Sequence, residues 1–425
     1  MLKPLLSLLC LPGFACAEVH TLTLKDAVQM ALKQNTDVVL ARLDEQRARQ
    51  AVRIAKDPFV PKVYGGSGLA FTSGFPNSIE GSAPSIFQAR TSMSLFNRPK
   101  SYELAEARGN ARGAGIDTAA KLEDVAYRTA NLFLDAAQTG RNSSYLQEEV
   151  NSLGQVGESV RLRVTEGREI PLAGKRADFN LASARQRLQS LAADQQYAEE
   201  SLALVLGYPD GNRVRPNEDD HLVMETPATE EECIAIALQN NKEIRRIQSQ
   251  LQAKALEVRA QRANRMPEVD LVAQYALFAK RNYQDFFQKF QRNNGQLGVS
   301  IKVPFLIGTA PSALAAQAEV DAAKLRTQAN EIRNRTALDT RRSFRDIHLA
   351  EASRDVAKMD LEVAREQVSV SLAQLDEGRA TRQAVEEARL TEQEKWIAFY
   401  NSEHLLEKAK LNLLKNAGTL QAALR

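Results

Sequence analysis

The chain repeats itself at about half its length, and that duplication limits its possible folds more than any other feature. Ala31-Leu32-Lys33-Gln34-Asn35 returns as Ala237-Leu238-Gln239-Asn240-Asn241, an offset of 206 positions. In the same register Asp37 falls on Glu243, Gln46 on Gln252, Val52 on Val258, and Pro61-Lys62-Val63 on Pro267-Glu268-Val269. Further on the offset is 211: Glu166-Gly167-Arg168 recurs as Glu377-Gly378-Arg379, and Leu206-Gly207 as Ala417-Gly418. The second copy therefore holds about five extra residues, placed most simply in its hairpin loop, where added length is tolerated. Chance likeness between two Ala-rich helices would not produce a matched order of helix, proline, strands, long helix and glycine turn. The expected organisation is a leader over 1–17, a first repeat over 18–228 and a second over 229–425.

Each copy reads the same way. A short amphipathic helix (24–35, then 229–241) leads into a second helix (37–57, then 243–264) that ends near Pro61 or Pro267. Two strands follow, within 62–97 and 268–306, and then a helical hairpin, 100–207 or 312–418. In 295–305, Leu297, Val299, Ile301, Val303 and Phe305 share one face, opposite Gln296, Gly298, Ser300 and Lys302. In 269–279, Val269, Leu271, Ala273, Tyr275, Leu277 and Ala279 oppose Asp270, Val272, Gln274, Ala276 and Phe278. The first copy is weaker: Phe87, Ala89, Thr91, Met93 and Leu95 against Gln88, Arg90, Ser92 and Ser94, after a glycine-rich strand at 63–73. Period-two alternation gives one apolar and one polar face. A half-buried sheet in a soluble domain is the commoner use of that pattern, yet the helices beside each hairpin leave little chain for such a core. Strands of about 10 residues cross a bilayer when tilted, and an apolar row outside with a polar row inside is what a transmembrane barrel needs. Four strands cannot close a barrel, and open edges are not tolerated in lipid. The barrel has to be shared, and three copies with twelve strands is the smallest arrangement that leaves an open lumen.

Residues 312–376 carry almost no helix breakers and favour helix strongly. Leu349, Val356, Val363 and Val370 recur every seven residues, as do Ala318, Leu325 and Ile332, the spacing of a coiled-coil seam. A helix of about 60 residues extends about 90 Å, far more than a compact domain requires. Residues 104–165 are its equivalent, with Gly109, Gly113 and Gly115 loosening the start. An elongated coiled-coil rod fits these helices equally well; the two alternating hairpins on the same chain are what favour a membrane channel.

The N-terminus fits export. Lys3 supplies a positive charge, Leu5 to Phe14 a short apolar stretch, and Ala15-Cys16-Ala17 a small-x-small cleavage site. Lipidation at Cys16 is the alternative, with Gly13 standing where such sites usually carry Leu. Cys10 and Cys16 lie in this leader, so Cys233 alone remains and no disulfide framework is expected. No apolar run of about 20 residues follows, which excludes a bundle of transmembrane helices.

A signal peptide, a tandem duplication, two strands per copy and two long helical hairpins, in that order, resemble the TolC family of outer-membrane efflux proteins over nearly all of 22–420. The family's L-x-x-A-x-x-x-A-L-x-x-N form is matched at Leu24–Asn35, with Asp37 following. The resemblance implies a mainly α fold with a small β part: long antiparallel coiled-coil hairpins forming a periplasmic α-barrel, and four strands per subunit in a twelve-stranded transmembrane β-barrel of a homotrimer. The stretch around 208–228, with the C-terminal residues, would form a belt. It implies passive export from an inner-membrane transporter through a periplasmic adaptor, with no cofactor. The adaptor-contacting turns correspond to Glu166, Gly167, Arg168 and Glu377, Gly378, Arg379, with Glu-Gly-Arg in place of the usual small-Gly-Leu. The acidic aperture corresponds to Ala384 and Glu387, with Glu386 adjacent. An acidic ring in a trimer would favour cations; a solvated helix face is the ordinary use of such charges.

Other functions find little support. Basic and acidic residues number 56 and 53, which leaves no basic excess for nucleic acid. Gly174-Lys175 resembles the end of a phosphate loop, but Gly167 is two residues too far back and Arg176 replaces Ser or Thr. His20, His221, His348 and His404 are scattered without partners at metal spacing. Trp396 and Tyr400, four apart, read as packing. Tyr283, Phe286, Phe287 and Phe290, between the last two strands, suit a membrane interface or a plug of the outer mouth, the former being the commoner role. No enzyme is expected. A periplasmic coiled-coil scaffold or adaptor without channel activity is the alternative reading.

Overall fold

The computed structural model describes residues 18–68, 85–217, 227, 229–278, 291–306 and 308–424. The leader with Cys16, and the aromatic group Tyr283, Phe286, Phe287 and Phe290, lie outside the described residues. Most of the rest is helical, and its elements come in two matched sets. The first is β1 (Val19–Leu22), α1 (Leu24–Gln34), α2 (Thr36–Lys56), β2 (Lys62–Gly68), β3 (Ser85–Phe96), α3 (Arg98–Thr165), α4 (Pro171–Leu206) and β4 (Arg213–Pro216). The second is α5 (Glu230–Asn240), α6 (Lys242–Arg262), β5 (Glu268–Phe278), β6 (Asn293–Lys302), α7 (Ala310–Asp376), α8 (Arg382–Ala417) and α9 (Leu420–Ala423). Equivalent helices have nearly equal lengths: 11 and 11 residues, 21 and 21, 68 and 67, 36 and 36.

Local chemistry sets the same boundaries in both copies. Thr23 and Thr229, one repeat apart, cap α1 and α5 by accepting from the amides of Asp26 and Glu232. Each long hairpin reverses at a glycine with φ of +72°, Gly167 and Gly378. Each second arm ends at a left-handed glycine, Gly207 or Gly418. The strand register locates the inserted residues. Lys62 pairs with Ser92, 30 positions on, whereas Glu268 pairs with Lys302, 34 positions on. Four of the five extra residues are thus in the second hairpin and the fifth follows its last strand.

The chain forms two compact units, each drawing on both repeats. One comprises Met1–Leu40, Ala119–Asn241 and Arg333–Arg425; the other comprises Ala41–Thr118 and Lys242–Ile332. In the first, the main core joins Leu24, Val28 and Ala31 of α1 to Val125 and Phe133 of α3, Leu202 and Leu206 of α4, and Leu411 and Leu414 of α8. β1 and β4 pair in parallel, and Val214 of β4 shares this core with Leu420 and Leu424. β4 and the C-terminal residues therefore share one core. In the second copy Cys233 replaces Ala27 and packs with Ile347, Leu406 and Leu413.

The second unit holds an antiparallel sheet ordered β2-β3-β5-β6, beside the C-terminal part of α2, α6, and the N-terminal parts of α3 and α7. The glycines near the start of α3 do not loosen it. At Gly109 a Cβ would lie 3.4 Å from the Cβ of Ala253, so the small residue lets α6 approach closely. The last strand also ends sooner than its alternation suggests: β6 stops at Lys302. Pro304, which has no amide hydrogen, cannot continue the ladder, and Val303 and Phe305 fall outside it.

Candidate functional site: a two-faced sheet and two helix-reversal turns

The register aligns the alternating faces of all four strands. Val63 pairs with Thr91, Thr91 with Ala273 and Ala273 with Leu297; Met93 pairs with Leu271 and Leu271 with Val299. Directly paired residues share a face, so the apolar rows merge into one surface. That surface is open on its edge strands, where Leu297 is 79% exposed, Val63 75% and Ile301 66%, and partly exposed between them. A soluble half-buried sheet would cover these residues. The opposite face gathers Tyr64, Arg90, Gln274 and Gln296 on one rung, with Ser94, Asp270 and Ser300 on another. Ser94 donates to Asp270 at 2.6 Å, and Lys302 lies 3.9 Å from the same carboxylate. β2 and β6 are edge strands whose outer ladder positions have no partner strand among the described residues.

The two reversals predicted to be contact turns share one geometry. The Arg168 amide donates to the Arg163 carbonyl at 2.8 Å, and that of Arg379 to Gln374 at 2.8 Å, closing each helix end with a six-residue loop. Glu166 and Arg168 then pair across the glycine at 3.2 Å, and Glu377 and Arg379 at 3.0 Å. Both arginines are mostly exposed, and nothing lies within 4 Å of where a Cβ would stand on either glycine. Near the first turn Ile170 and Leu172 are also exposed. Each reversal thus offers a bare backbone tip flanked by an ion pair.

Glu386 and Glu387 lie in the first two turns of α8. Glu386 is partly covered, 3.5 Å from Arg389, while Glu387 is exposed and accepts from Gln383 at 2.9 Å. Both carboxylates therefore have partners on their own helix.

Around these features, α8 is joined to α3 by a polar layer that sequence reading missed. His404, 9% exposed, and Lys408 approach the carboxylate of Asp135 at 3.0 and 2.5 Å. Burial raises the Asp135 carboxyl, but the hydrogen bonds from His404 and Lys408 outweigh it and hold the group below its ordinary range. Gln138 donates to Asn401 at 2.6 Å, and Tyr145 stacks on Tyr400, which stacks on Trp396 under Arg365. Trp396 and Tyr400 thus pack, as their spacing suggests.

The helical seams also differ from the sequence reading. α7 turns Thr336, Thr340, Ser343, Ile347, Leu361, Ala364 and Ser371 inward, and Ser343 accepts from Asn416 of α8 at 2.7 Å. This seam is heptad-spaced and mixes Thr, Ser and Ala with Ile347 and Leu361. The larger series Leu349, Val356, Val363 and Val370 is 40–68% exposed. Contacts link α4 to α3, α3 to α8 and α8 to α7, leaving α4 and α7 as the flanks. The free side of α4 carries Leu172, Phe179, Tyr197 and Leu204, all exposed.

Among the described residues no group of His, Cys, Asp and Glu is arranged to hold a metal ion, and no helix is long and apolar enough to cross a membrane. The family of outer membrane efflux proteins matches residues 27–208 and again 233–424, one match per repeat. No curated protein sequence matches significantly. Solved structures do. The CmeC outer membrane channel of Campylobacter jejuni is 15% identical, with a TM-score of 0.76 over 93% of this chain and 86% of that one. The outer membrane protein VceC of Vibrio cholerae is 15% identical, with a TM-score of 0.74 over 93% and 96%. The MtrE outer membrane channel of Neisseria gonorrhoeae, in its open state, is 16% identical, with a TM-score of 0.69 over 94% and 88%. At such identities the structures establish a shared fold, and the double family match establishes kinship: this chain belongs to the outer membrane efflux proteins, the TolC-type chains of the outer membrane that extend into the periplasm.

Proposed function

We propose that the chain is the exit duct of a tripartite efflux or type I secretion system. Three copies close a twelve-stranded barrel in the outer membrane. Their helical hairpins form a tunnel that receives substrate from an inner-membrane transporter through a periplasmic adaptor. Conduction is passive, and no bond is made or broken. The observation that supports this reading is the four-stranded sheet with its single, continuous apolar face, exposed most on the edge strands. Lipid is the environment in which such a face is stable, and neighbouring copies satisfy its two edges. The exposed stripes on α7 and α4 support the same assembly, because a head-to-tail ring brings one flank against the other.

Within this duct the tips at Glu166-Gly167-Arg168 and Glu377-Gly378-Arg379 are the adaptor contacts, and Glu386 and Glu387 line the periplasmic aperture. Cys16 is either removed with the leader or lipidated. The test is expression in a Gram-negative host, extraction of the outer membrane in mild detergent, sizing, and reconstitution in a planar bilayer. Trimer-sized particles that conduct ions are expected. A protein that remains soluble without detergent, monomeric and silent would overturn the duct and favour a periplasmic scaffold.

A further inference from the structure

We propose that Arg90 is the charge-selecting residue of the barrel, biasing passage through the strands toward anionic solutes. The inference rests on the duct proposed above, in which the polar face of the sheet lines the lumen. Charges on that face within the strands are Lys62, Arg90, Glu268, Asp270 and Lys302, with Arg292 just before β6, opposite Phe278, at the other end of the sheet from Lys302. Lys62 is ion-paired with Asp57 at the start of the strand. Lys302 is 3.9 Å from Asp270 and directly opposite Glu268 in the ladder. Those three groups sit together at the end of the sheet nearest the helices and leave one negative charge per chain.

Arg90 is different. Its rung holds Tyr64, Gln274 and Gln296, all uncharged, and among the described residues no carboxylate pairs with it. The neighbouring rungs bring Lys62, neutralised by Asp57, with Ser92, Val272 and Gly298 on one side, and Gly66, Gln88, Ala276 and Asn294 on the other. The middle of the polar face thus carries a single unbalanced cation.

Three copies place three such guanidinium groups at one height. Twelve strands about 4.8 Å apart and tilted by about 40° give a wall radius of about 12 Å, and an extended arginine reaches well inside it. Each charge then lies within about 10 Å of the axis, close to the Debye length at 0.1 M salt and well beyond the roughly 3 Å of 1 M salt. Rings of basic side chains favour anions. The preference should therefore be present at low salt and screened at high salt, unlike selection by size.

The experiment is reversal potential in a potassium chloride gradient centred near 0.1 M, for wild-type trimers and for Arg90→Gln and Arg90→Glu. The chloride-to-potassium permeability ratio should fall about two- to threefold in Arg90→Gln and further in Arg90→Glu, and the three proteins should converge near 1 M. Arg90→Cys adds a readout of position, since the remaining described cysteine, Cys233, is buried. A negatively charged thiol reagent should change its conductance, while Thr91→Cys, on the apolar face, should not respond. Wild-type and variant channels with equal permeability ratios at low salt would overturn the role of Arg90 and leave the duct standing. A wild-type protein that forms no conducting particle would overturn both.

Discussion

Gly418 shows how a single residue can be fixed by its partner in another element. Its φ is +69°, and a Cβ there would stand 2.9 Å from the carbonyl oxygen of Asn240 at the end of α5. Gly207 occupies the equivalent place, at φ +87° and 3.3 Å from the carbonyl oxygen of Gln34. Gly378 is left-handed too but faces open space. Alanine should therefore destabilise in the order Gly418, Gly207, Gly378. The expected costs are about 3 kcal/mol at the first and about 1 kcal/mol at the last, where only backbone strain remains. Thermal denaturation of the three variants checks the ranking, and equal shifts would show that the close approach to Asn240 has no energetic weight. Asp135 makes a second residue-scale case. A carboxyl held below its ordinary 3.8 contributes stability that is present above that value and is lost as pH falls through the lower folded-state pKa. Asp135→Asn should lower stability at neutral pH and flatten the decline below about pH 4; an unchanged acid profile would remove Asp135 from the account. The glycine and its Leu or Ala neighbour were visible as a repeat in the sequence. The His404–Asp135–Lys408 contact was not, because its members are more than 260 positions apart and carry no spacing signal.

At the scale of elements, the helices were legible and their faces were not. Most helix boundaries follow from a threonine or asparagine cap, a proline or a left-handed glycine, all local signals. The heptad of Leu349, Val356, Val363 and Val370 was equally plain, yet periodicity reports that a stripe exists and not what covers it. α7 has two stripes, and its own partner α8 takes the one built from Thr340, Ser343, Ile347 and Ala364. The larger residues are left for another surface. In the proposed ring that surface is the α4 flank of a second copy, with Phe179 and Tyr197. A Val356→Asp/Val363→Asp protein should keep its helical content in circular dichroism but lose the trimer on sizing in detergent. Trimers as stable as wild type would place the stripe against something other than a neighbouring copy.

For the whole molecule, the duplication made the architecture readable, because one repeat supplied what the other obscured. The glycine-rich strand over 62–68 would not be identified alone; its match to 268–278 gives it away. What a single chain leaves open is closure, since in the proposed duct both the sheet and the helical flanks are completed by other copies. The aperture belongs to this scale. Among the described residues Glu386 and Glu387 have local partners on α8, and in the proposed duct their effect depends on three chains bringing them near one axis. Carboxylates gathered at a constriction attract cations and hold them, so removing the charge should ease passage if these residues line the narrowest point. Glu386→Ala/Glu387→Ala channels should then conduct more than wild type and prefer cations less, an effect opposite in sign to that of Arg90→Gln. Combining the changes separates the two sites: rings that act independently should shift selectivity additively. Unchanged conductance in the glutamate variant would leave the duct intact and assign these carboxylates to the solvated face of α8.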